Sequence, residues 1–81
     1  MRFLKEISHP AFRVGLYYWN NKYLIKIEAG QYEQTYKISE MDVTSEEEVI
    51  QLLDEPFMRQ VNERFGQMHE DFTDTIERHE F

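Results

Sequence analysis

Polar and apolar residues alternate over residues 12–29, and this period of two predicts a β-hairpin with one buried face. Asn20-Asn21 interrupts the alternation, and both asparagines tolerate the positive φ that a two-residue type I′ turn requires. With this pair as the loop, apolar residues oppose apolar residues on the inner face, while Arg13 opposes Glu28 on the outer face. The inner positions are Phe12, Val14, Leu16, Tyr18, Tyr23, Ile25, Ile27 and Ala29.

A third strand is predicted over residues 32–38, after a second tight turn. The loop of this turn is either Gly30-Gln31, as a type II′ turn, or Ala29-Gly30, and the sequence favours neither. Under both alternatives the apolar side chains of the third strand lie on the inner face. The result is an antiparallel β-meander.

The first eight residues fit either a short strand or one face of a helix. Pro10 favours extended geometry at His9 and interrupts any ladder, so a break is expected at this dipeptide. We predict a strand that pairs with the first hairpin strand, which makes the meander three or four strands long.

Two helices are predicted after the sheet. Thr44-Ser45-Glu46-Glu47 has the form of a capping box with Thr44 as the N-cap, and the helix is expected to end near Asp54-Glu55 because Pro56 follows. Pro56 suits the first turn of a second helix. Its apolar residues recur every three or four positions, at Phe57, Val61, Phe65, Met68, Phe72 and Ile76.

The second helix could reach His79, about 35 Å from its start, and would then overhang the shorter strands. The sequence therefore predicts one α+β domain over residues 1–81, with the long C-terminal helix packed on one sheet face. The apolar fraction of 41% is enough for a packed core.

The formal net charge of −7 is unevenly distributed along the chain. Residues 1–38 carry six basic and three acidic groups, whereas residues 39–81 carry three basic and thirteen acidic groups. The chain has no cysteine, no apolar run of membrane-spanning length and no apolar stretch typical of a secretory signal. We therefore expect a soluble, acidic, cytoplasmic protein without a membrane partner.

The sequence contains no nucleophile motif, no phosphate-binding glycine loop and no cysteine, so we predict no enzyme activity, catalytic residue or cofactor. A metal-dependent hydrolase using His69, Glu70 and Asp74 is a remote alternative. Residue 73, four positions after His69, is a threonine rather than a ligand, so an acidic solvated face explains this segment better and we predict no metal site.

The outer face of the hairpin combines aromatic and basic side chains. Because such residues are enriched at interface hot spots, we interpret this face first as a protein interface. Aromatic groups among cations also suit single-stranded nucleic acid, but a charge of −7 makes a polyanionic partner less favourable. We rank coverage of this face by the chain itself second and nucleic acid third. The predicted residues are Arg13, Tyr17, Trp19, Lys22, Leu24 and Lys26.

The long helix offers a second interface, because five of its residues occupy successive a and d positions of a heptad pattern. These are Met58, Val61, Phe65, Met68 and Phe72, and Thr75 ends the series. Packing against the sheet is the favoured explanation for the pattern, and self-association is the alternative. The function that we predict is a small interaction module, acting with itself as a homodimer or with another protein.

Overall fold

Four antiparallel strands form one sheet in the computed structural model, which describes residues 1–79. The strands are β1 (Arg2–Ile7), β2 (Arg13–Trp19), β3 (Lys22–Ala29) and β4 (Tyr32–Ser39), and they lie side by side in chain order. A 3₁₀ turn at Glu40–Asp42 leads into two helices, α1 (Glu46–Gln51) and α2 (Glu55–His79). The predicted α+β class and the meander followed by two helices are confirmed.

The β2–β3 hairpin has the predicted turn and register. Asn20 and Asn21 have φ values of 54° and 64°, as a type I′ turn requires. The buried pairs include Leu16 with Ile25, and Arg13 lies opposite Glu28. Alternation and turn chemistry demand the same register here, because a slip of one residue would turn the apolar side chains to the outer face.

The β3–β4 turn uses Gly30-Gln31 as its loop, since Ala29 pairs with Tyr32. Gly30 has a φ of 60° and Gln31 is not among the residues with positive φ, which matches a type II′ turn. This result selects one of the two alternatives that the sequence left open.

The N-terminal segment is a strand, as predicted, and it pairs with β2. A bulge between Phe3 and Lys5 shifts its register. The chain then leaves the sheet at His9-Pro10. The Nδ1 atom of His9 accepts hydrogen bonds from the backbone N–H groups of Ala11 (3.1 Å) and Phe12 (3.3 Å), and these bonds stabilise the corner.

The predicted capping box of α1 is wrong by one residue. Ser45 is the N-cap, and its side chain accepts a hydrogen bond from the backbone N–H of Glu48. The carboxylate of Glu48 accepts bonds from both the N–H and the hydroxyl of Thr44, the residue before the cap. Helix α1 also ends at Gln51, earlier than predicted, because the chain tightens into i→i+3 bonds at the next two residues.

Helix α2 begins after Asp54, whose Oδ1 atom accepts a hydrogen bond from the N–H of Phe57 at 3.0 Å. It runs antiparallel to β4, since Phe57 contacts Tyr36 and Phe72 contacts Tyr32. The core between sheet and helices consists of Val14, Leu16, Ile25, Ile27, Val49, Met58, Val61 and Phe65.

The molecule measures 48 × 27 × 20 Å along its principal axes. Twenty-five helical residues span about 37 Å, so α2 is much longer than an eight-residue strand. Its buried residues all lie between Met58 and Phe65. The last part of α2, residues 69–79, therefore extends past the core as predicted, and we call it the overhang.

Candidate interaction surfaces

The outer sheet face carries the six residues predicted from the hairpin, and the structure places them in three different environments. Arg13, Lys22 and Trp19 are exposed, and 52% of the surface of Trp19 is accessible. Tyr17 and Lys26 are half-buried. The face is thus less uniform than the sequence pattern indicates.

Leu24 corrects the sequence expectation of an exposed apolar patch, because only 3% of its surface is accessible. It occupies a central strand, where Tyr17 lies opposite on β2 and Lys37 lies opposite on β4. The long side chains of Tyr17 and Lys37 on either side of it, and of Lys22 and Lys26 on the same face of β3, account for this burial. Leu24 is therefore unavailable to a partner.

Tyr17 lies flat along the sheet rather than standing out from it. A Cβ atom added to Gly15 would come within 2.9 Å of Cε1 of this ring, so the glycine makes room for the tyrosine. The ring of Phe3 meets it edge-on at 5.3 Å, and Nζ of Lys26 lies 5.0 Å from its centre. Tyr17 and Lys26 thus contact each other, which reduces their capacity to bind a nucleobase or phosphate.

Phe3 is an exposed aromatic residue of this face that the sequence pattern did not identify. Its place opposite Tyr17 depends on the β1 register and on the bulge that follows it. Hydrophobic alternation alone does not indicate a bulge, because the extra residue breaks the period of two.

A depression of about 200 Å³ opens beside Gly15 on the same face. Two basic side chains, Arg13 and Lys26, and two acidic ones, Glu6 and Glu28, contribute to its wall. The opposite charges balance, so this part of the face is not the cationic groove that a phosphate backbone requires.

The five residues predicted for self-association are divided by the edge of the sheet. Met58, Val61 and Phe65 lie in the chain's own core. Met68 is half-buried, and Phe72 keeps 50% of its surface exposed. The exposed part of the stripe continues to Ile76, at 40%. Only the last part of the predicted stripe is therefore open to a partner.

Tyr32 links the first turn of the overhang to the sheet. Its ring contacts His69 and Phe72 edge-on, and its hydroxyl lies 3.1 Å from Nδ1 of His69. The same hydroxyl accepts a hydrogen bond from Nε2 of Gln31 at 2.8 Å. Gln31, Tyr32, Met68 and Phe72 line an open, mainly apolar depression of about 390 Å³.

Gln34 anchors the buried half of α2 through hydrogen bonds. Its Nε2 atom donates to the carbonyl of Val61 at 3.0 Å. Its Oε1 atom accepts from the hydroxyl of Tyr36 at 2.5 Å and from Nη1 of Arg64 at 3.1 Å. The alternation of the third strand places Gln34 on the inner face, but the sequence does not indicate its bonds to Val61 and Arg64, because these residues lie 27 and 30 positions away.

Two titratable groups in residues 1–79 have shifted pKa values, and local hydrogen bonds cause both shifts. The bond that Tyr18 donates to Glu40 raises the pKa of the Tyr18 hydroxyl above its ordinary value. The bonds from Thr44 lower the pKa of the Glu48 carboxyl. Both contacts stabilise the segment that joins β4 to α1.

No group of three or more His, Asp or Glu side chains suited to a metal ion occurs in the described part of the chain. His69, the histidine of the remote hydrolase hypothesis that also includes Glu70 and Asp74, is engaged with Tyr32 through Nδ1. Within residues 1–79, no helix is both long enough and apolar enough to cross a membrane.

Comparison of the chain with protein-family models, with curated proteins and with solved structures found no match.

Proposed function

We propose that this chain is a small, non-enzymatic protein-interaction module that works as a homodimer. The observation that supports it is the apolar surface of α2 beyond the sheet, where Phe72 and Ile76 are exposed next to the depression at Tyr32 and Met68. The lack of cysteine suits a cytoplasmic location.

Most of the acidic side chains of the overhang lie on the side of the helix away from Phe72, so only the Phe72 side suits an apolar partner. On a helix with 100° per residue, Glu70, Asp74 and Glu77 project from the face opposite Phe72. His69 and Thr75 lie nearest to the apolar stripe, and Thr73 and Asp71 lie farther out, one on each side. A second copy can therefore cover the centre of the stripe without burying Glu70, Asp74 or Glu77.

The oligomeric state tests this proposal directly. Sedimentation velocity across micromolar concentrations is expected to show a dimer, and Phe72→Ala is expected to weaken it at least tenfold. Trp19→Ala is the matched control, because Trp19 is equally exposed but lies on the outer face. A wild-type chain that remains a monomer throughout this range overturns the homodimer.

A second candidate function is binding of single-stranded nucleic acid to the outer face. Its support is the exposed Trp19, which pairs with Lys22 on a face that the core helices do not cover. Exposed aromatic side chains beside cations are the usual stacking sites for bases.

Fluorescence anisotropy with a labelled single-stranded oligonucleotide tests this alternative. We expect binding at low salt that weakens as salt increases and that Trp19→Ala reduces, whereas Trp19→Phe retains most of it. Absence of binding at low salt excludes this function and leaves the interaction module in place.

A further inference from the structure

Strand β4 presents a free edge with unused backbone hydrogen-bonding groups. Residues that flank a two-residue loop form a hydrogen-bonded pair, so Ala29 and Tyr32 bond to each other and the even positions of β4 bond to β3. The bond from the N–H of Glu40 to the carbonyl of Asn21 continues this series. The backbone groups of Glu33, Thr35 and Lys37 therefore point away from the sheet.

These outward groups have no hydrogen-bond partner elsewhere in residues 1–79. The register of β4 is regular over all eight residues, and the strand contains neither a bulge nor a proline. The opposite edge of the sheet is different, because β1 is interrupted by a bulge and followed by Pro10. Bulges and prolines protect edges against pairing, so β4 is the unprotected edge.

The side chains along this edge are complementary to themselves. If two copies of β4 pair antiparallel about Thr35, Glu33 of each copy lies opposite Lys37 of the other. The two Thr35 residues face each other, and all three pairs fall on the outward backbone groups, as hydrogen bonding requires. Opposite charges and paired threonines are favourable cross-strand neighbours.

We propose that two copies of this chain associate through their β4 strands, with the twofold axis at Thr35, to form a continuous eight-stranded sheet. This inference rests on the proposed homodimer and assigns its interface. The same patch of each copy contacts the other, which is the arrangement of an isologous dimer. Main-chain bonds supply affinity, and the side-chain register supplies specificity.

Pairing of the two β4 strands brings two apolar depressions together on the inner face of the sheet. One lies at the start of β4, beside Tyr32 and Phe72. The other lies at its end, has a volume of about 330 Å³ and includes Ile38 and Leu52 in its wall. Antiparallel pairing places Tyr32 of one copy opposite Ile38 of the other, so each Phe72 patch covers the partner's exposed Leu52 patch.

Charge favours this edge over other surfaces of the chain. The chain has a net charge of −7, but residues 32–39 carry one acid and one base and are neutral. Arg64 bonds to Gln34 and Tyr36, so the Arg64 side chains of the two copies face each other across the twofold axis. Repulsion between these two positive charges opposes the association. Salt screens this repulsion and the Glu33–Lys37 attraction alike, and two attractive pairs stand against one repulsive pair.

A cross-linking experiment tests the register. The chain has no cysteine, so Thr35→Cys introduces a single thiol. Opposed residues in a hydrogen-bonded antiparallel pair are about 5.5 Å apart at Cα, within disulfide range. In the matched control Glu33→Cys, the two thiols are displaced by four residues, about 14 Å, and cannot join. We expect a covalent dimer from Thr35→Cys under mild oxidation and none from Glu33→Cys.

A charge exchange supplies an independent test. Lys37→Glu and Glu33→Lys each place like charges opposite one another twice, and each is expected to raise the dimer dissociation constant about tenfold. An equimolar mixture of these two variants restores opposite charges at both pairs, as does the double variant Glu33→Lys with Lys37→Glu. Both are expected to recover wild-type affinity.

The outcomes separate the two proposals. A dimer that Thr35→Cys does not cross-link and that the charge variants do not weaken overturns the β4 interface but leaves the homodimer. A wild-type monomer at all micromolar concentrations overturns both. If circular dichroism shows that Thr35→Cys does not fold, the mixture of charge variants decides the question. Recovery of wild-type dimer affinity in the mixture supports the β4 interface, and failure to recover it overturns that interface.

Discussion

The two halves of α2 carry the same kind of apolar side chain at the same helical spacing but lie in different surroundings. Phe65 and Phe72 are seven residues apart and project from nearly the same face of the helix. Phe65 contacts Phe12 and is 6% exposed, whereas Phe72 is half exposed and contacts the rim of the sheet at Tyr32.

This difference shows that an apolar stripe records which side of a helix avoids water, but not which element covers it. The sheet ends before α2 does, so the first half of the stripe forms the core and the second half forms a surface. A stripe that continues past its own sheet favours an additional partner, since exposed apolar patches on small domains commonly mark interaction sites.

The largest expected effect separates the two phenylalanines. Phe65→Ala is expected to lower the free energy of unfolding by about 3–5 kcal/mol, because it leaves a cavity in the core. Phe72→Ala is expected to cost less than about 1 kcal/mol in the monomer. Urea denaturation at concentrations below those of dimer formation measures both, and equal losses would contradict the division of α2 into two halves.

The hydrogen bonds of Gln34 hold the buried half of α2 against the sheet. Gln34→Ala is expected to cost about 1–3 kcal/mol, because it removes a buried amide and leaves polar atoms of Tyr36 and Arg64 without that partner. Gln67→Ala is the control, since Gln67 is exposed and bonds only to Asp71, and it should change stability by less than about 0.5 kcal/mol. Denaturation curves that coincide for the two variants would be inconsistent with this anchor.

Gly66 lies at the boundary between the halves. A Cβ atom added there meets nothing within 4 Å, so the glycine only weakens the helix. Gly66→Ala is expected to stabilise the protein by up to about 1 kcal/mol, and amide hydrogen exchange should slow in the overhang more than under the sheet. A destabilised variant would indicate a close contact at this position.

The smallest expected effect concerns α1, which contributes Val49 to the core beneath the buried half. The folded state lowers the pKa of Glu48, so its contribution is present above the ordinary pKa and is lost as pH falls through the lowered value. Wild type and Glu48→Gln should therefore differ in melting temperature near neutral pH. The difference should shrink as pH falls below the ordinary carboxyl pKa of about 4.3 and should vanish below the lowered pKa. A constant difference across this range would exclude the contribution of this carboxylate.

Much of the fold could be predicted because local and pairing signals coincide in the hairpin. Asn20-Asn21 and the alternation on both sides of it lead to the same register. The cap of α1 was misplaced because Thr44 and Ser45 are both good caps and each has a glutamate three residues later. Distinguishing them requires knowing how the helix must turn to bury Val49, which is a tertiary constraint.

The candidate surfaces were predicted less completely than the fold. Trp19 is exposed as expected, but Leu24 is covered and Phe3 was missed, because cross-strand neighbours and a bulge decide both cases. The sequence placed Gln34 on the inner face but did not indicate its role, because its hydrogen bonds depend on where distant atoms of α2 lie.

The sequence by itself determined the strand facing, the Asn20-Asn21 turn and the apolar face of α2, because each of these depends on residues close in the chain. Tertiary structure alone decided where the sheet stops beneath α2, which side chains cover Leu24 and which edge strand is left unprotected. These features depend on the relative lengths and register of elements far apart in sequence. They also create the surfaces on which we expect the function of this protein to depend.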